Sequence, residues 1–593
     1  MENLYACLSP SDQALSDYPH LQTPLTPELP LTGSTVATAG KIACAIRGWM
    51  HYQGMTGCST DIAARLAADF AEKGVGMLQE LSGSFALIIV DRDNRQLVAA
   101  VDRMAQQPLS YAQHGEFVFV GTTAGSVARS GADAATVNPQ ALHDFMLSHM
   151  VSAPDTVFNG TRKLLHGEVL IADRRGLRLE RYWQPDFQAE RDRPVAESRD
   201  AVLDTLQQAI EREGPGKTSG SFLSGGLDSS TVTGLLARSQ GDNMPAFSVG
   251  FGVEEFDELK YARIAAKHFK CQHEEYNVNA DDIVDLIPKI AAAYDEPFGN
   301  SSAIPTFCCA RLAKSHGIDH LYAGDGGDEL FGGNERYVRQ RVFDHYWKLP
   351  AFVRKGLIEP IAGRFDPDEG FKPIQKFASY VRQAKVPLPD RFESWNLIFR
   401  EGTQNVFDHD FLTTIDTDYP MQKMRDVWAS CPSEDPLDKM LWYDWKFTLA
   451  DSDLPKVSTM CELAGVRVSY PMLDDPFVTL SQSVPTDEKI RGGELRSFFR
   501  DAVKDFLPAE TLTKDKHGFG LPFGVWLKTH DRLKSFVYGS LDTLANRGIL
   551  STAFLERVAE EHKSGHAGYY GYAIWDLIML EQWFRAHIDG QAA

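Results

Sequence analysis

The stretch Ser221-Phe-Leu-Ser-Gly-Gly-Leu-Asp-Ser-Ser230 decides the fold of the larger part of this chain. Its beginning, Ser221-Phe-Leu223, predicts a short buried strand, and the residues from Ser229 to Arg238 predict a helix. The glycines between them let the backbone approach an anion closely, and the start of a helix directs free N–H groups at that anion. The order of strand, glycine-rich loop and helix therefore predicts a phosphate-binding loop. It is not a Walker A loop, because no Lys follows the second Gly.

Asp228 is the residue of this loop that a simple anion site does not explain, because its negative charge repels phosphate. An Asp in this place fits a site in which the carboxylate holds Mg²⁺ against a polyphosphate. Ser229 and Ser230 add hydroxyl donors to the same loop. The alternative interpretation is a glycine-rich turn in which Asp228 lies near a helix cap.

A second acidic, glycine-rich loop, Gly324-Asp-Gly-Gly-Asp-Glu329, follows the predicted strand His320-Leu-Tyr-Ala323. Ligands of doubly wound sheets bind at the carboxyl ends of the parallel strands. Because both loops follow predicted strands, we expect Asp228 and Asp328 to share one metal ion. The alternative is an acidic turn on the surface, which the joint occurrence of the two loops disfavours.

Strands and helices alternate around these two loops, and this predicts an α/β fold with a doubly wound parallel sheet. Ala246-Phe-Ser-Val249 predicts a further strand, and the chain becomes mostly helical after residue 340. Earlier residues contain short apolar runs between turns, such as Phe85-Ala-Leu-Ile-Ile-Val90, which predict packed sheets. A charged segment that contains Pro194 separates the two patterns. We therefore expect two domains, residues 1–185 and 186–593.

The composition is that of a globular enzyme with an acidic balance. The 593 residues include 60 Lys and Arg against 81 Asp and Glu, and the net charge of −21 argues against a nucleic acid or an anionic membrane as the main partner. No C-x-x-C pair is present, so neither a zinc ribbon nor a thioredoxin-like centre is indicated. The N-terminal residues do not resemble a signal peptide, and no apolar run approaches the ~18 residues of a membrane span. We expect a cytoplasmic protein with reduced thiols.

These motifs resemble a known family. Ser224-Gly-Gly-Leu-Asp-Ser229 resembles the pyrophosphate loop of N-type ATP pyrophosphatases, and Lys514-Asp-Lys-His-Gly-Phe-Gly520 resembles the late lysine loop of the asparagine synthetase family. Further similarity to the synthetase domain of that family lies in Ser248-Val-Gly250, Asp295-Glu-Pro-Phe298, Ser301-Ser-Ala-Ile-Pro305 and Gly324-Asp-Gly-Gly-Asp-Glu-Leu-Phe-Gly-Gly333. The N-terminal part is similar to the family at Leu81-Ser-Gly-Ser-Phe-Ala86, Asp91, Asp102-Arg103, Pro108-Leu109, Thr156-Val-Phe158, Gly167 and Tyr182-Trp183.

The resemblance implies an N-terminal Ntn-hydrolase-like β-sandwich with αββα layers. It also implies a C-terminal ATP pyrophosphatase domain of the adenine nucleotide α-hydrolase-like fold, which ends in a helical region. The implied reaction uses ATP and Mg²⁺: a carboxylate attacks the α-phosphorus of ATP, pyrophosphate leaves, and an amine converts the acyl-adenylate into an amide and AMP. The residues implied to bind ATP or pyrophosphate are Ser224, Gly225, Gly226, Leu227, Asp228, Ser229, Ser230, Val249, Gly250, Gly324 and Gly326.

Four residues have implied chemical roles. Asp228 and Asp328 would ligate Mg²⁺, which neutralises charge on the leaving group. Lys516 would contact the phosphates and stabilise charge in the transition state. Asp325 stands where asparagine synthetases often have Glu, and there it would help to deprotonate the incoming amine. The alternatives are that Lys516 is a surface lysine and that Asp325 caps the glycine-rich turn.

The N-terminal domain departs from the family pattern. Glutamine-dependent members carry a Cys directly after the initiator Met, with its α-amino group as the base, whereas residue 2 here is Glu2. Cys7 lacks the Gly that follows the family nucleophile, and Arg47 stands where an Asn of the family would donate an amide. We therefore expect an N-terminal domain that does not hydrolyse glutamine and instead shapes the synthetase site. In the synthetase domain, the stretch from Arg467 to Asp474 lacks the charged Glu-x-Arg pair of the family, which argues against an unmodified aspartate pocket.

Without a glutaminase, the nitrogen must come from free ammonia or from an amine on the substrate. We expect a peptide substrate that is closed to a macrolactam, as in lasso-peptide cyclases, with a leader-peptide recognition protein and a leader peptidase as partners. The alternatives are an asparagine synthetase that uses ammonia or glutamine, another amide ligase for small molecules, a β-lactam synthetase, and a non-catalytic paralogue. No nucleic acid or membrane partner is expected.

Overall fold

The structure is a computed structural model, and it describes residues 3–8, 31–32, 35–130, 135–187, 193–253, 258–365, 371–394, 396–514, 520–564 and 567–590. The strands of its first part are β1 (Tyr5–Leu8), β2 (Leu31–Thr32), β3 (Thr35–Ala39), β4 (Ile42–Tyr52), β5 (Met55–Gly57), β6 (Ser82–Asp91), β7 (Gln96–Val101), β8 (Ser110–His114), β9 (Phe117–Gly121), β10 (Thr161–Lys163), β11 (Glu168–Asp173) and β12 (Gly176–Arg181). The helices of this part are α1 (Thr60–Lys73), α2 (Ala124–Ala128) and α3 (Pro139–Ser148).

The first part is a sandwich of two antiparallel sheets, ordered β10-β8-β9-β1-β2 and β12-β11-β7-β6-β4-β3, with β5 paired to β4. Strand β6 shows why its sequence is continuously apolar. Phe85 and Ile89 pack in the layer of α1, whereas the alternate residues Ala86 and Val90 pack between the two sheets. Helix α2 covers the outer face of the other sheet through Val127. The αββα layer order predicted from the sequence is confirmed.

The second part is built on a parallel sheet. Its elements are α4 (Val195–Arg212), β13 (Ser219–Phe222), α5 (Leu227–Gln240), β14 (Pro245–Gly250), α6 (Leu259–His268), β15 (Gln272–Asn277), α7 (Ala280–Ala293), α8 (Ala303–Ser315), β16 (His320–Tyr322), α9 (Gly327–Phe331) and, later, β17 (Arg467–Ser469). The strand order is β15-β14-β13-β16-β17, and every pairing is parallel. This confirms the doubly wound α/β fold. Because β13 lies beside β16, the loops that follow these two strands leave the same edge of the sheet next to each other.

The remainder is mostly helical, as predicted. Its helices are α10 (Glu335–Arg341), α11 (Asp344–Trp347), α12 (Ala351–Val353), α13 (Glu359–Ala362), α14 (Lys372–Ala384), α15 (Leu397–Glu401), α16 (Thr403–Val406), α17 (His409–Leu412), α18 (Tyr419–Ala429), α19 (Pro436–Asp444), α20 (Leu454–Ala464), α21 (Asp475–Ser483), α22 (Thr486–Lys489), α23 (Ser497–Val503), α24 (Ala509–Thr513), α25 (Phe523–Thr529), α26 (Asp531–Leu544), α27 (Thr552–Ser564) and α28 (Ala567–His587). A π-helical segment, Trp445–Asp453, joins α19 to α20.

The two parts share a hydrophobic core. Ile574 and Trp583 of α28 are buried in the same cluster as Phe145 of α3. The predicted domain boundary at residue 185 stays a prediction, and residues 188–192 beside it lie outside the described part. No described helix has both the length and the apolar character needed to cross a bilayer.

Candidate active site

The predicted phosphate loop connects β13 to α5, and its conformation depends on glycine. Gly225 has a φ of +72°, and a Cβ there would lie 2.3 Å from the carbonyl carbon of Tyr261. Within the loop, the backbone N–H of Ser224 donates to the Ser229 hydroxyl at 3.2 Å, and the two hydroxyls lie 2.9 Å apart. The loop is therefore ordered by its own serines, while Gly226, at the N-cap of α5, begins the helix.

The predicted acidic loop follows β16 and packs directly against the phosphate loop. A Cβ on Gly324 would lie 2.7 Å from the backbone nitrogen of Ser229. Gly326 has a φ of +101° and precedes the short helix α9. The two loops are brought together as the strand order requires, and only glycine permits so close an approach.

These loops line one cavity of about 750 Å³, within the range of roughly 300–1,000 Å³ that is typical of small-molecule sites. The residues with predicted roles that line it are Ser224, Gly226, Leu227, Asp228, Ser229, Val249, Gly324, Asp325, Gly326 and Asp328. Three residues with predicted roles do not line the cavity: Gly225, Ser230 and Gly250. The Ser230 side chain is fully buried, and a Cβ on Gly250 would overlap the Leu259 side chain at 2.5 Å.

Arg496 joins the two predicted metal ligands. Its Nη1 donates to Asp228 Oδ2 at 2.6 Å and to Asp328 Oδ1 at 3.2 Å, and its Nη2 also pairs with Asp228. The Arg496 side chain is 8% exposed. Asp228 and Asp328 therefore face a common point, and that they share a metal ion stays a prediction. Arg496 itself was missed, because no local pattern in Glu494-Leu-Arg496 marks it as a residue of this cavity.

A second pair of charged residues lines the cavity: Asp453 ends the π-helical segment, and Lys456 lies in the first turn of α20. Lys456 Nζ pairs with Asp453 Oδ1 at 2.7 Å, and both residues line the cavity with Asp325. Burial and the carboxylates of Asp453 and Asp228 raise the pKa of Asp325 to about 6, against an opposing effect of Lys456. The only sequence signal for Asp453 and Lys456 was an acid–base pair three residues apart, which is common on solvent-exposed helices. A π-helical turn often marks a functional site.

The late lysine loop is described only in part. Lys514 lies at the cavity wall, where Nζ donates to the Ser224 carbonyl at 3.2 Å and pairs with Glu258 at 3.0 Å. Lys516, the predicted catalytic lysine, lies outside the described residues. Lys514 was not predicted as a site residue, and its contact ties the late loop to the phosphate loop.

The carboxylates of Asp228 and Asp328 are suitable ligands for a divalent cation. Mg²⁺ in phosphoryl-transfer sites is bound by one or two carboxylates together with the phosphates of the substrate. The two carboxylates already share one cation, the Arg496 guanidinium. Their spacing is thus compatible with a common positive charge.

The N-terminal region in which glutamine-dependent members of the family would bind glutamine departs from their pattern at Cys7 and Arg47. Cys7 lies within β1 with no exposed surface, and burial raises the pKa of its thiol to about 12. A thiol of this kind is not a nucleophile at neutral pH. Arg47 Nη2 pairs with Glu462 of α20 at 2.8 Å, and the Arg467 guanidinium lies over the Trp49 ring at 4.0 Å. These four side chains line a second cavity of about 690 Å³ between the sandwich and the parallel sheet.

Comparison with known proteins agrees with both halves of this arrangement. Residues 201–585 match the family model described as asparagine synthase, and residues 46–183 match the one described as a glutamine amidotransferase domain. Asparagine synthetase [glutamine-hydrolyzing] 1 of Bacillus subtilis (strain 168) is 24% identical over 86% of this chain and 78% of its own length. A putative asparagine synthetase [glutamine-hydrolyzing] of Mycobacterium tuberculosis (strain ATCC 25618 / H37Rv) is 25% identical over 88% of this chain and 79% of its own length. A putative asparagine synthetase [glutamine-hydrolyzing] 2 of Methanocaldococcus jannaschii is 28% identical over 58% of this chain and 69% of its own length. Since the asparagine synthase model matches more than half of the residues, this chain belongs to the asparagine synthase family of carbon–nitrogen ligases.

Proposed function

We propose that this protein forms an amide bond by activating a carboxylate of a peptide as an acyl-adenylate, which an amine of the same peptide then attacks to close a macrolactam. The observation that carries the adenylation step is the convergence of Asp228 and Asp328 on one guanidinium at the mouth of a glycine-rich loop. Overall, one ATP and one linear peptide are converted into AMP, pyrophosphate and a cyclic peptide. The cyclic peptide is lighter than the linear one by one water.

The chain supplies binding and orientation for the first step. The backbone of the phosphate loop and the hydroxyls of Ser224 and Ser229 are suited to bind pyrophosphate at the start of α5. Asp228 and Asp328 are suited to hold Mg²⁺, which would neutralise charge on the leaving pyrophosphate. Lys516 is assigned to the phosphates by the family resemblance, and Lys514, two positions earlier, donates to the Ser224 carbonyl of the phosphate loop.

Asp325 is the candidate base for the second step. Its carboxyl lines the same cavity as the phosphate loop, and its pKa of about 6 lets it be ionised at neutral pH while still being basic enough to accept a proton. Lys456 lies beside it, paired with Asp453, and places a positive charge near the carboxylate that is to be activated. The two residues thus supply a proton acceptor and a carboxylate-binding cation in one cavity.

The amine source is the basis for choosing a peptide over aspartate. Among the described residues, Cys7 is buried in β1, and Arg47, which stands where the family has an amide donor, is paired with Glu462. In the synthetase part, Arg467 stands where the family carries an acidic residue. Its guanidinium pairs with Glu213 at 3.1 Å. The first departure supports a substrate that brings its own amine, and the second argues against an unmodified aspartate pocket.

A second candidate is asparagine synthesis from aspartate with ammonia or glutamine, which the names of the similar curated proteins favour. Pyrophosphate exchange into ATP, measured with free aspartate and with any candidate precursor peptide found in a neighbouring open reading frame, separates the two. We expect peptide-dependent exchange and a product lighter by one water. Asparagine formed from aspartate and ammonium chloride would establish the second candidate instead, and no exchange with any acid would refute both.

A further inference from the structure

The Arg496 guanidinium occupies the point on which the two predicted metal ligands converge. It donates to Asp228 at 2.6 Å and to Asp328 at 3.2 Å, and the side chain is 8% exposed. The residue has a φ of +58° immediately before α23, a backbone conformation that residues other than Gly rarely adopt. A costly backbone conformation at a buried charge indicates that the position of this guanidinium is specified by the fold.

The glycines of the acidic loop are shaped around the same guanidinium. A Cβ on Gly327 would lie 2.2 Å from Asp228 Oδ1 and 2.6 Å from Arg496 Nη2. A Cβ on Gly333 would lie 1.8 Å from Asp328 Oδ1 and 2.8 Å from Arg496 Cδ. Any larger residue at either place would displace both the carboxylate and the guanidinium. The ion-paired arrangement is therefore built into the loop.

The charge at this point decides which cation can be present. Asp228 and Asp328 are both ion-paired with Arg496, and Glu329 adds a further negative charge that acts on the same guanidinium. A divalent cation that bound to both carboxylates with Arg496 in place would lie within a few ångströms of a buried positive charge, where repulsion is strong. If the phosphates of a nucleotide enter together with the metal, they provide a new acceptor for the guanidinium. Nε of Arg496 is buried without a hydrogen-bond partner among the described residues, so a donor is available for that acceptor.

We propose that Arg496 is a resident counter-cation that excludes free Mg²⁺ from Asp228 and Asp328 and moves to the phosphates when nucleotide and metal bind together. This inference rests on the proposed nucleotide site and assigns to it an order: the metal enters with the nucleotide and not before it. It makes Arg496 a positioning residue for the carboxylate pair in the free protein and a phosphate ligand in the complex.

The test measures metal binding without any turnover. Mn²⁺ is titrated into the protein and free Mn²⁺ is followed by electron paramagnetic resonance, with and without α,β-methylene-ATP. For Arg496→Gln we expect Mn²⁺ alone to bind at least about tenfold more tightly than to the wild type. In the presence of the analogue, we expect the same variant to bind the metal–nucleotide pair at least about tenfold more weakly. Arg496→Lys keeps the charge, and we expect it to exclude free Mn²⁺ as the wild type does.

The opposite signs of these two changes distinguish the proposal from a structural role, which would weaken both kinds of binding together. Arg491→Gln is the matched control, because Arg491 is half exposed and pairs with Glu488 and Asp501 outside the cavity. Equal affinity of wild type and Arg496→Gln for free Mn²⁺ overturns the proposal, as does a loss of both affinities in Arg496→Lys. A failure of the amide-ligase proposal appears separately, as absent pyrophosphate exchange with unchanged Mn²⁺ results.

Discussion

Arg47 of β4 forms an ion pair with Glu462 of α20, with Nη2 and Oε2 separated by 2.8 Å. The pair crosses from the β-sandwich to the helix that also carries Lys456 at the edge of the candidate active site. Six residues, a little under two turns of α20, separate Lys456 from Glu462, so the sandwich contacts the same helix that lines the candidate active site. The N-terminal part therefore contacts a helix that forms one wall of the candidate active site.

Removing the Arg47–Glu462 ion pair should weaken the packing of the β-sandwich against the second part of the protein. Arg47 is 12% exposed and Glu462 33%, so the pair lies between an exposed ion pair and a buried one. We expect Arg47→Ala to lower the free energy of unfolding by about 1–2 kcal/mol, measured by urea denaturation. Lys73→Ala is the control, because Lys73 and its partner Glu80 are both exposed, and we expect it to cost less stability than Arg47→Ala. Equal effects of the two variants would contradict the bridging role.

We expect the purified protein to release no glutamate from glutamine. The only cysteine near the start of the described chain is Cys7, whose buried thiol has a pKa raised to about 12, so its thiolate is scarce at neutral pH. Cys7→Ser should therefore leave amide formation from ammonia or a substrate amine unchanged. Glutamate release by the wild type that disappears in Cys7→Ser would contradict this expectation.

The two proposed metal ligands and Lys516 should each be needed for adenylation. We expect Asp228→Asn, Asp328→Asn and Lys516→Ala each to reduce pyrophosphate exchange by at least about 10²-fold, the size of effect that follows loss of one group that stabilises transition-state charge. Lys504→Ala is the control, because Lys504 is exposed after α23. Circular dichroism should show an unchanged fold. A variant that retains exchange would remove that residue from the mechanism.

Much of the fold could be predicted because its signals are local. The run Phe85–Val90 identifies a strand buried on both faces, and the stretch Ser221–Ser230 contains a strand, a glycine loop and a helix start in ten consecutive residues. The approach of Asp228 to Asp328 followed from a general rule about the edges of parallel sheets.

The rest of the site depends on contacts between distant residues. Arg496 reaches Asp228 across 268 positions of sequence, and its backbone conformation has no sequence marker such as Gly or Asn. Lys456 lies in the first turn of α20, directly after a π-helical segment, and a pattern of apolar residues does not report such a segment. The role of Lys516 stays a prediction from resemblance.

Protonation of Asp325 should lower the rate of amide formation at low pH and so produce an acid limb in the pH–rate profile. Its pKa is raised to about 6, first by burial and then by the neighbouring carboxylates, and only the ionised form can accept a proton from the amine. We therefore expect the rate of amide formation to fall about tenfold per pH unit below pH ~6, whereas any change at higher pH follows the protonation of the attacking amine and not that of Asp325. Asp325→Asn should lower the rate by about 10²–10⁴-fold and abolish this limb, while pyrophosphate exchange, which precedes the proton transfer, is largely retained. Asp319→Asn is the matched control, because Asp319 lies before β16 and pairs with Lys314 at the surface. If Asp325→Asn keeps both the rate and the limb, the carboxyl only caps its loop and the base lies elsewhere.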